Sequence, residues 1–535
     1  DPACGTGSFL VALYSCLNKE YQKRSASNFN YNPVNDPLEN IYGIDISEDG
    51  TFLCSLALIL YHNILNKNSQ EADLENSSKS ILFSKKLQIF TGDALFLDWS
   101  EIFTTKPGSF TAVVGNPPFV QYLNLENTYR RKLTTSDFQF QYQRWDLYVL
   151  FIEKSLGFLK KKGFLTFIIP DSFLDEQYAK HLRCYLTENF QIRKVIDLRG
   201  HKVFLGATVG TVVLQLVNSP PSNNLVLIGE PQVNYHSNQP IIFDYFTTSQ
   251  NNFKKSGEYK WRLIPSEYWQ FFEEINKNSF PLHEICYVTN GFQISPISSF
   301  QSNESETVDG ISSRAFLKGE QIQSYYIASN QHSWFLYSNE KSFYFKLKRP
   351  FSSDPKSWKP KFPELFENPK IVIPRVAGNS IRASFDNKGY YCWQTIVCLL
   401  PKHYITNVPK KKLGRSCPSL TEEQIAKSKN YDLRYLLGII NSKITRFYFT
   451  TFLGNGLDIL KSNIEQFRIP SATERDQRNV ISVVKILESL NQKFYENPQD
   501  IDIYQTQKII NKLQNELDSK ILTLFNISTP PWEKN

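Results

Sequence analysis

The residues with the most specific chemical promise are Asn116-Pro117-Pro118-Phe119. Two prolines fix their own φ and hold the residue before them extended. The Asn116 amide oxygen and the Pro117 carbonyl can then face one amino group, with Phe119 offering a flat surface beside them. Two acceptors and a ring suit a planar amine on an aromatic base. Taken alone, the same four residues also fit a Pro-Pro turn with Phe119 in the core. A second candidate is Asp1-Pro2-Ala3-Cys4-Gly5-Thr6-Gly7. Gly5 and Gly7 let backbone approach a ligand, and a helix that follows presents free N–H groups. An isolated Gly-x-Gly marks many tight turns, so the acids downstream matter. Asp45 can accept from ribose hydroxyls and Asp93 from an adenine amino group. The bland role of either acid is helix N-capping.

These residues need elements to position them. Short apolar runs at 40–46, 87–90, 110–114, 163–169, 192–198 and 208–217 read as strands, and 9–21, 50–66, 147–161 and 176–189 read as helices. Strands alternating with helices predict an α/β fold, a doubly wound, mostly parallel sheet. Ligands in such sheets bind beyond the carboxyl ends of the strands, where Asp45, Asp93 and Asn116 fall.

Composition narrows the classes. The chain has 535 residues, 41% hydrophobic and 21% charged, which allows several packed domains and excludes global disorder. No apolar run reaches the roughly 18 residues of a membrane span, and no signal peptide opens the sequence. Eight scattered cysteines form no CxxC pair, in keeping with a reducing cytoplasm. Residues 1–220 hold 22 basic and 22 acidic groups, so the net +8 resides in residues 221–535. Within 341–415, 16 basic residues face 4 acidic ones. A neutral front and a basic back suggest chemistry followed by polyanion binding, although a solvated basic surface reads the same way. The chain contains no Met, which reads as a piece of a longer reading frame.

The motifs closely resemble those of the adenine-N6 DNA methyltransferases, in particular the Eco57I-like, type IIG restriction–modification family with a TaqI-like C-terminal specificity domain. The glycine segment is similar to that family's first motif, Asp45 and Asp93 to its two cofactor acids, and Asn116–Phe119 to its catalytic motif. Residues 146–154, 163–173 and 202–214 are similar to later motifs. The resemblance implies a Rossmann-like methyltransferase domain over 1–220, lacking its first strand and an upstream cofactor motif. It further implies a linker with short strands over 221–280, an α+β target-recognition domain over 281–473 and a C-terminal helical pair over 474–535. S-adenosylmethionine is the implied cofactor, held by Asp1, Ala3, Gly5, Gly7, Asp45, Ile46, Asp93 and Ala94, with no metal for methyl transfer. Asn116, Pro117, Pro118 and Phe119 would act on a flipped adenine, sandwiched between Phe119 and Phe204.

The implied partner is double-stranded DNA in a prokaryotic cytoplasm. The chain is compatible with a monomer, and any nuclease domain would lie upstream. No Pro-Cys pair of the cytosine-C5 type occurs, so no covalent intermediate is expected. Without its first strand, the chain is expected to fold poorly and bind cofactor weakly. In the back half, Arg375, Arg382 and Lys388 are candidates for base or phosphate contacts, each also readable as a surface charge. Ile481, Val484, Ile486 and Leu487, and Ile509, Leu513, Leu517 and Ile521, mark apolar faces of the last two helices. Two other readings remain: a DNA-binding remnant without activity, and an enzyme with the same catalytic corner acting on RNA or protein glutamine.

Overall fold

The computed structural model describes residues 1–27, 37–66, 87–103, 108–201, 209–232, 241–255, 259–295, 301–302, 305, 307–308, 311–328, 333–335, 337, 357–359, 361–376, 381–413, 420–454, 458–499 and 501–533. These form two compact units, Asp1–Ser266 and Glu267–Asn535.

The first unit opens with helix α1 (Ser8–Ser27), strand β1 (Tyr42–Asp45) and helix α2 (Glu48–Asn66). Ser47 starts α2: its hydroxyl accepts the Gly50 N–H at 3.1 Å, and Glu48 and Asp49 lie in the first turn, where acids complement the helix dipole. Strand β2 (Gln88–Thr91) pairs with β1 in parallel, Asp45 opposite Thr91. Then come β3 (Phe110–Gly115), α3 (Asn127–Thr134), α4 (Leu147–Phe158), β4 (Leu159–Pro170), α5 (Lys180–Asn189), β5 (Gln191–Asp197), β6 (Thr211–Val217), β7 (Leu225–Pro231) and β8 (Phe243–Ser249). The last six strands form one sheet in the order β3-β4-β6-β5-β7-β8.

The expected mostly parallel sheet is in fact mixed. β3–β4 and β5–β7 are parallel, but β4–β6, β5–β6 and β7–β8 are antiparallel. Short apolar runs do not fix strand direction, because side chains alternate between the two faces in both kinds of ladder. Two helix ends also move. The helix expected to reach residue 161 stops at Phe158, and Lys160–Lys162 begin β4, with Lys162 at a positive φ of 62°. Gln177–Ala179 form a 3₁₀ turn ahead of α5. β7 and β8 fall in the stretch read as a linker with short strands. Helix α4 is buried on nearly every side, from Leu147 to Leu156, as befits a helix with little polar face.

β1 and β3 each pair on one side only among the described residues. A cavity of about 470 Å³ is lined by both, with Leu10, Tyr42, Ile44, Phe103, Phe110 and Val113 on its walls. Asp1 prolongs the ladder beside β1: its carbonyl accepts the Ile44 N–H at 2.9 Å and its amino group donates to the Tyr42 carbonyl at 2.9 Å.

The second unit contains an antiparallel sheet of β9 (Cys286–Asn290), β10 (Lys370–Pro374), β11 (Ser384–Asp386) and β12 (Ile396–Pro401), in the order β9-β12-β10-β11. Gly291, in the turn after β9, has the Cys392 carbonyl so near that a Cβ would lie 1.9 Å from its oxygen. A fully buried ion pair, Lys370 Nζ to Asp386 Oδ2 at 2.5 Å, ties β10 to β11. The chain ends in α6 (Glu474–Glu496) and α7 (Ile503–Leu524). Their buried stripe is Val480, Val483, Val484 and Leu487 on α6 and Leu517 and Ile521 on α7. Ile486 and Ile509, read from the sequence as part of the helices' apolar faces, are about half exposed at 49% and 48%. Ile486 falls off the i, i+3, i+4, i+7 spacing that Val480, Val483, Val484 and Leu487 bury.

Candidate active site

Asp45 ends β1, and both its oxygens are held. Oδ2 accepts the Gly5 N–H at 2.8 Å and Oδ1 the Ser47 N–H at 2.9 Å. The cap of α2 is therefore Ser47, and the N-capping role weighed for Asp45 falls away. Its carboxylate fastens the glycine loop to the strand end instead. Gly7 adopts φ +87°, and a Cβ there would lie 2.7 Å from Cys54 Sγ. Both the conformation and the close approach demand glycine. Gly5, at φ +50°, has open space around it.

Asp93 follows β2 in a tight turn. Its Oδ1 accepts the Leu95 N–H at 3.0 Å, and its carbonyl accepts from Leu97 at 3.0 Å. Asn116 follows β3. Its Oδ1 is buried and has no hydrogen-bond partner, although buried acceptors are nearly always satisfied. Phe119 meets Tyr148 edge-to-face at 6.5 Å. Beyond it, the hydroxyls of Tyr148, Tyr178 and Ser172 form a chain with spacings of 3.0 and 2.8 Å.

One cavity of about 560 Å³ brings most of these groups together: Ala3, Asp45, Ile46, Asp93, Ala94, Asn116 and Pro118 all line it. Asp1 turns elsewhere, its Oδ1 accepting the Ala3 N–H at 3.1 Å. Gly7 lies beneath the loop, and Pro117 is buried. Phe204 lies outside the described residues. The cavity also holds Glu126, Tyr129, Leu147 and Phe151, which sequence reasoning did not single out. Leu147 and Phe151 stand four apart on α4, so they share a helix face. That spacing was a usable signal. Nothing local marked Tyr129.

Asp146, just ahead of α4, is 5% exposed, and its Oδ1 has no partner. Burial pushes its carboxyl up to about 6. It bridges Gln121, and the Leu147 N–H donates to the Val120 carbonyl at 3.0 Å. The backbone after the prolyl corner is thus laid against the start of α4.

The three basic candidates flank the β10–β11 pair, Arg375 and Arg382 at one end and Lys388 at the other. Arg375 faces Asp458 at 3.8 Å. Arg382 donates to Gln323 at 3.3 Å, while its Nε is buried without a partner. Lys388 is exposed on the turn after β11.

The first unit is thus a mixed α/β domain with a ligand-sized cavity at the carboxyl ends of its strands, walled by three acids and an orphaned amide oxygen. Residues 39–204 match the model of the Eco57I restriction-modification methylase family, so the likeness carried by the motifs holds over this segment. The chain is 25% identical over 304 residues to the type II restriction enzyme and methyltransferase RM.Eco57I of Escherichia coli, covering 52% of this chain and 29% of that protein. It is 40% identical over 107 residues to the type II methyltransferase M.BstVI of Geobacillus stearothermophilus, or 19% of this chain and 18% of that one. With the type II methyltransferase M.HincII of Haemophilus influenzae it shares 29% identity over 210 residues, 36% of this chain and 41% of the relative. The alignments thus span well under two thirds of these relatives. Among solved structures, the type IIL restriction-modification enzyme MmeI, in complex with DNA, superposes with a TM-score of 0.59 at 14% identity, over 99% of this chain and 70% of that one. That likeness is one of fold. Among the described residues no helix is long and apolar enough to cross a membrane.

Proposed function

We propose that this chain is the catalytic and recognition part of a site-specific DNA methyltransferase. It would transfer a methyl group from S-adenosylmethionine to adenine N6 in duplex DNA, within a prokaryotic cytoplasmic restriction–modification system. The observation that carries the reading is the Asn116 amide oxygen: buried, without a partner, and in the same cavity as Asp45 and Asp93. An unsatisfied buried acceptor costs about 1–3 kcal/mol. Folds tolerate such costs mainly where function needs them.

The residues present fit the cofactor. Asp45 would accept from ribose hydroxyls, Asp93 and Ala94 would meet a purine edge, and Leu147 and Phe151, on the same cavity wall, would cover the purine faces. Bound there, the cofactor supplies a sulfonium methyl group open to nucleophilic attack. Everything else falls to the chain. An adenine stacked in a duplex hides its amino group, so the base must swing out at a cost of a few kcal/mol. Stacking on Phe119 returns roughly 1–3 kcal/mol of that. Asn116 Oδ1 and the Pro117 carbonyl then accept the two amino hydrogens, turning the nitrogen lone pair out of conjugation and towards the donor. Orientation and fixed acceptors carry the rate. On this reading Phe204 closes the second face of the base, and Arg375, Arg382 and Lys388 contact DNA. The two sheets of the first unit are then parts of one doubly wound layer. Residues 221–280 supply short strands and a linker, 281–473 act as the recognition domain and 474–535 as its helical support.

The test is to incubate the intact protein with duplex DNA and methyl-labelled S-adenosylmethionine, digest the product to nucleosides and locate the label. Label in N6-methyl-2′-deoxyadenosine supports the reading. Label on cytosine, on RNA or on protein, or none at all, overturns it.

A further inference from the structure

Gln143 and Arg144 take no part in the cavity described above, yet the chain holds them firmly between two anchors. On one side, the Tyr142 ring meets His181 of α5 edge-on, with ring centres 4.4 Å apart. On the other, Trp145 packs against the Tyr122 ring at 5.4 Å, and its carbonyl accepts the Tyr122 N–H at 2.9 Å. Tyr122 stands three residues past Phe119, so this loop is fastened to the chain that leaves the prolyl corner. Between the anchors Gln143 takes a positive φ of 54°. That conformation is uncommon for a residue with a Cβ and collects at ligand-binding sites. Both side chains are exposed. Arg144 has no hydrogen bond or ion pair among the described residues.

The two residues line a cavity of about 510 Å³ with Glu176, Gln177 and Tyr178. Tyr178 connects it to the catalytic corner. Its hydroxyl lies 3.0 Å from that of Tyr148, whose ring meets Phe119 edge-to-face at 6.5 Å. The lining decides between the two kinds of contact that DNA makes. A phosphate seeks a surplus of positive charge, and here the carboxylate of Glu176 cancels the charge of Arg144. A base edge sets donors and acceptors side by side. The cavity answers with both, in a guanidinium, a carboxylate and two carboxamides, beside a phenol. An unpaired guanidinium on a loop fixed at both ends loses little freedom when it takes up a planar partner.

We infer that this cavity receives the edge of a base adjoining the everted adenine, and that Arg144 reads it, guanine O6 and N7 being the pair that its fork matches. The inference rests on the function proposed above. It adds to that reading a determinant of sequence specificity within the first unit, apart from the residues assigned to recognition.

The experiment gives the intact wild-type protein and Arg144→Ala a duplex library randomised on both sides of one adenine, and sequences the methylated products. Thermal unfolding monitors the fold, and binding of S-adenosylhomocysteine monitors the donor site; the variant should match wild type in both. Wild type should favour guanine at a position adjoining the methylated adenine. Arg144→Ala should lose about tenfold of that preference, the effect of one bidentate base contact, and keep its preferences elsewhere. A uniform loss on every sequence, with a shallower dependence on salt, would make Arg144 a phosphate contact and overturn the inference. Wild type without a guanine preference beside the adenine overturns it too, as does a preference that survives in the variant. A wild-type protein that methylates no adenine in duplex DNA overturns the proposed function and this inference with it.

Discussion

Replacing Asn116 with Ala should separate stability from activity in a way few core substitutions do. Most truncations of a buried polar side chain cost stability because they break a hydrogen bond. Asn116 Oδ1 is buried with no partner, so Asn116→Ala breaks none there and removes a desolvated acceptor. Leaving such an atom unsatisfied costs about 1–3 kcal/mol. Part of that gain is offset by lost side-chain packing, so unfolding free energy should rise by about 0–2 kcal/mol. Methyl transfer should move the opposite way. Losing one preorganised group at a reacting centre typically lowers turnover by about 10²–10³. The assay is urea unfolding followed by tryptophan fluorescence, set beside label transfer to duplex DNA under saturating donor. A variant that is destabilised by more than about 1 kcal/mol with an unchanged urea slope would mean that the amide oxygen is engaged in the folded protein. A variant that methylates at more than a tenth of the wild-type rate would remove Asn116 from the chemistry.

Three further outcomes follow from the geometry. Gly7→Ala puts a Cβ 2.7 Å from Cys54 Sγ at φ +87°; left-handed strain of about 1–2 kcal/mol and overpacking of about 1–3 kcal/mol should show as a stability loss of about 2–5 kcal/mol in urea, with weakened donor binding. Lys370→Met strands the Asp386 carboxylate in the core of the second unit and should cost about 3–5 kcal/mol; a loss below 1 kcal/mol by denaturation would show that the three backbone N–H groups on Asp386 suffice alone. Burial raises the Asp146 carboxyl from 3.8 to about 6, so between those values the native state binds more protons than the unfolded chain and stability falls as pH rises. Asp146→Asn should abolish that slope and stabilise the protein at pH 7 by about 2–3 kcal/mol, as read from unfolding curves at pH 4 and pH 7.

How far the sequence could be read depended on whether the signal was local. The strand ends bearing Asp45, Asp93 and Asn116 were legible because a short apolar run closing on a polar residue is a local pattern, and those residues do meet in one cavity. The direction of β5 against β6 was not legible, since pairing is decided by distant chain. The end of α4 was misplaced by three lysines that suit an exposed strand as well as a helix. Asp45 was legible as an acid at a strand end, but its hold on Gly5 joins residues forty apart. Tyr129 escaped notice for the same reason: α3 brings it to the cavity wall only through packing. Ile486 and Ile509 show the reverse error, in which hydrophobicity was mistaken for burial.

The double engagement of Asp45 has a kinetic consequence. Because Gly5 and Ser47 already grip its two oxygens, the glycine loop is laced to the sheet before any visitor arrives. Whatever enters finds a finished berth and need not wait for a segment to order itself. Capture should therefore proceed in a single phase whose rate climbs linearly with ligand concentration, without the plateau that a slow rearrangement would impose.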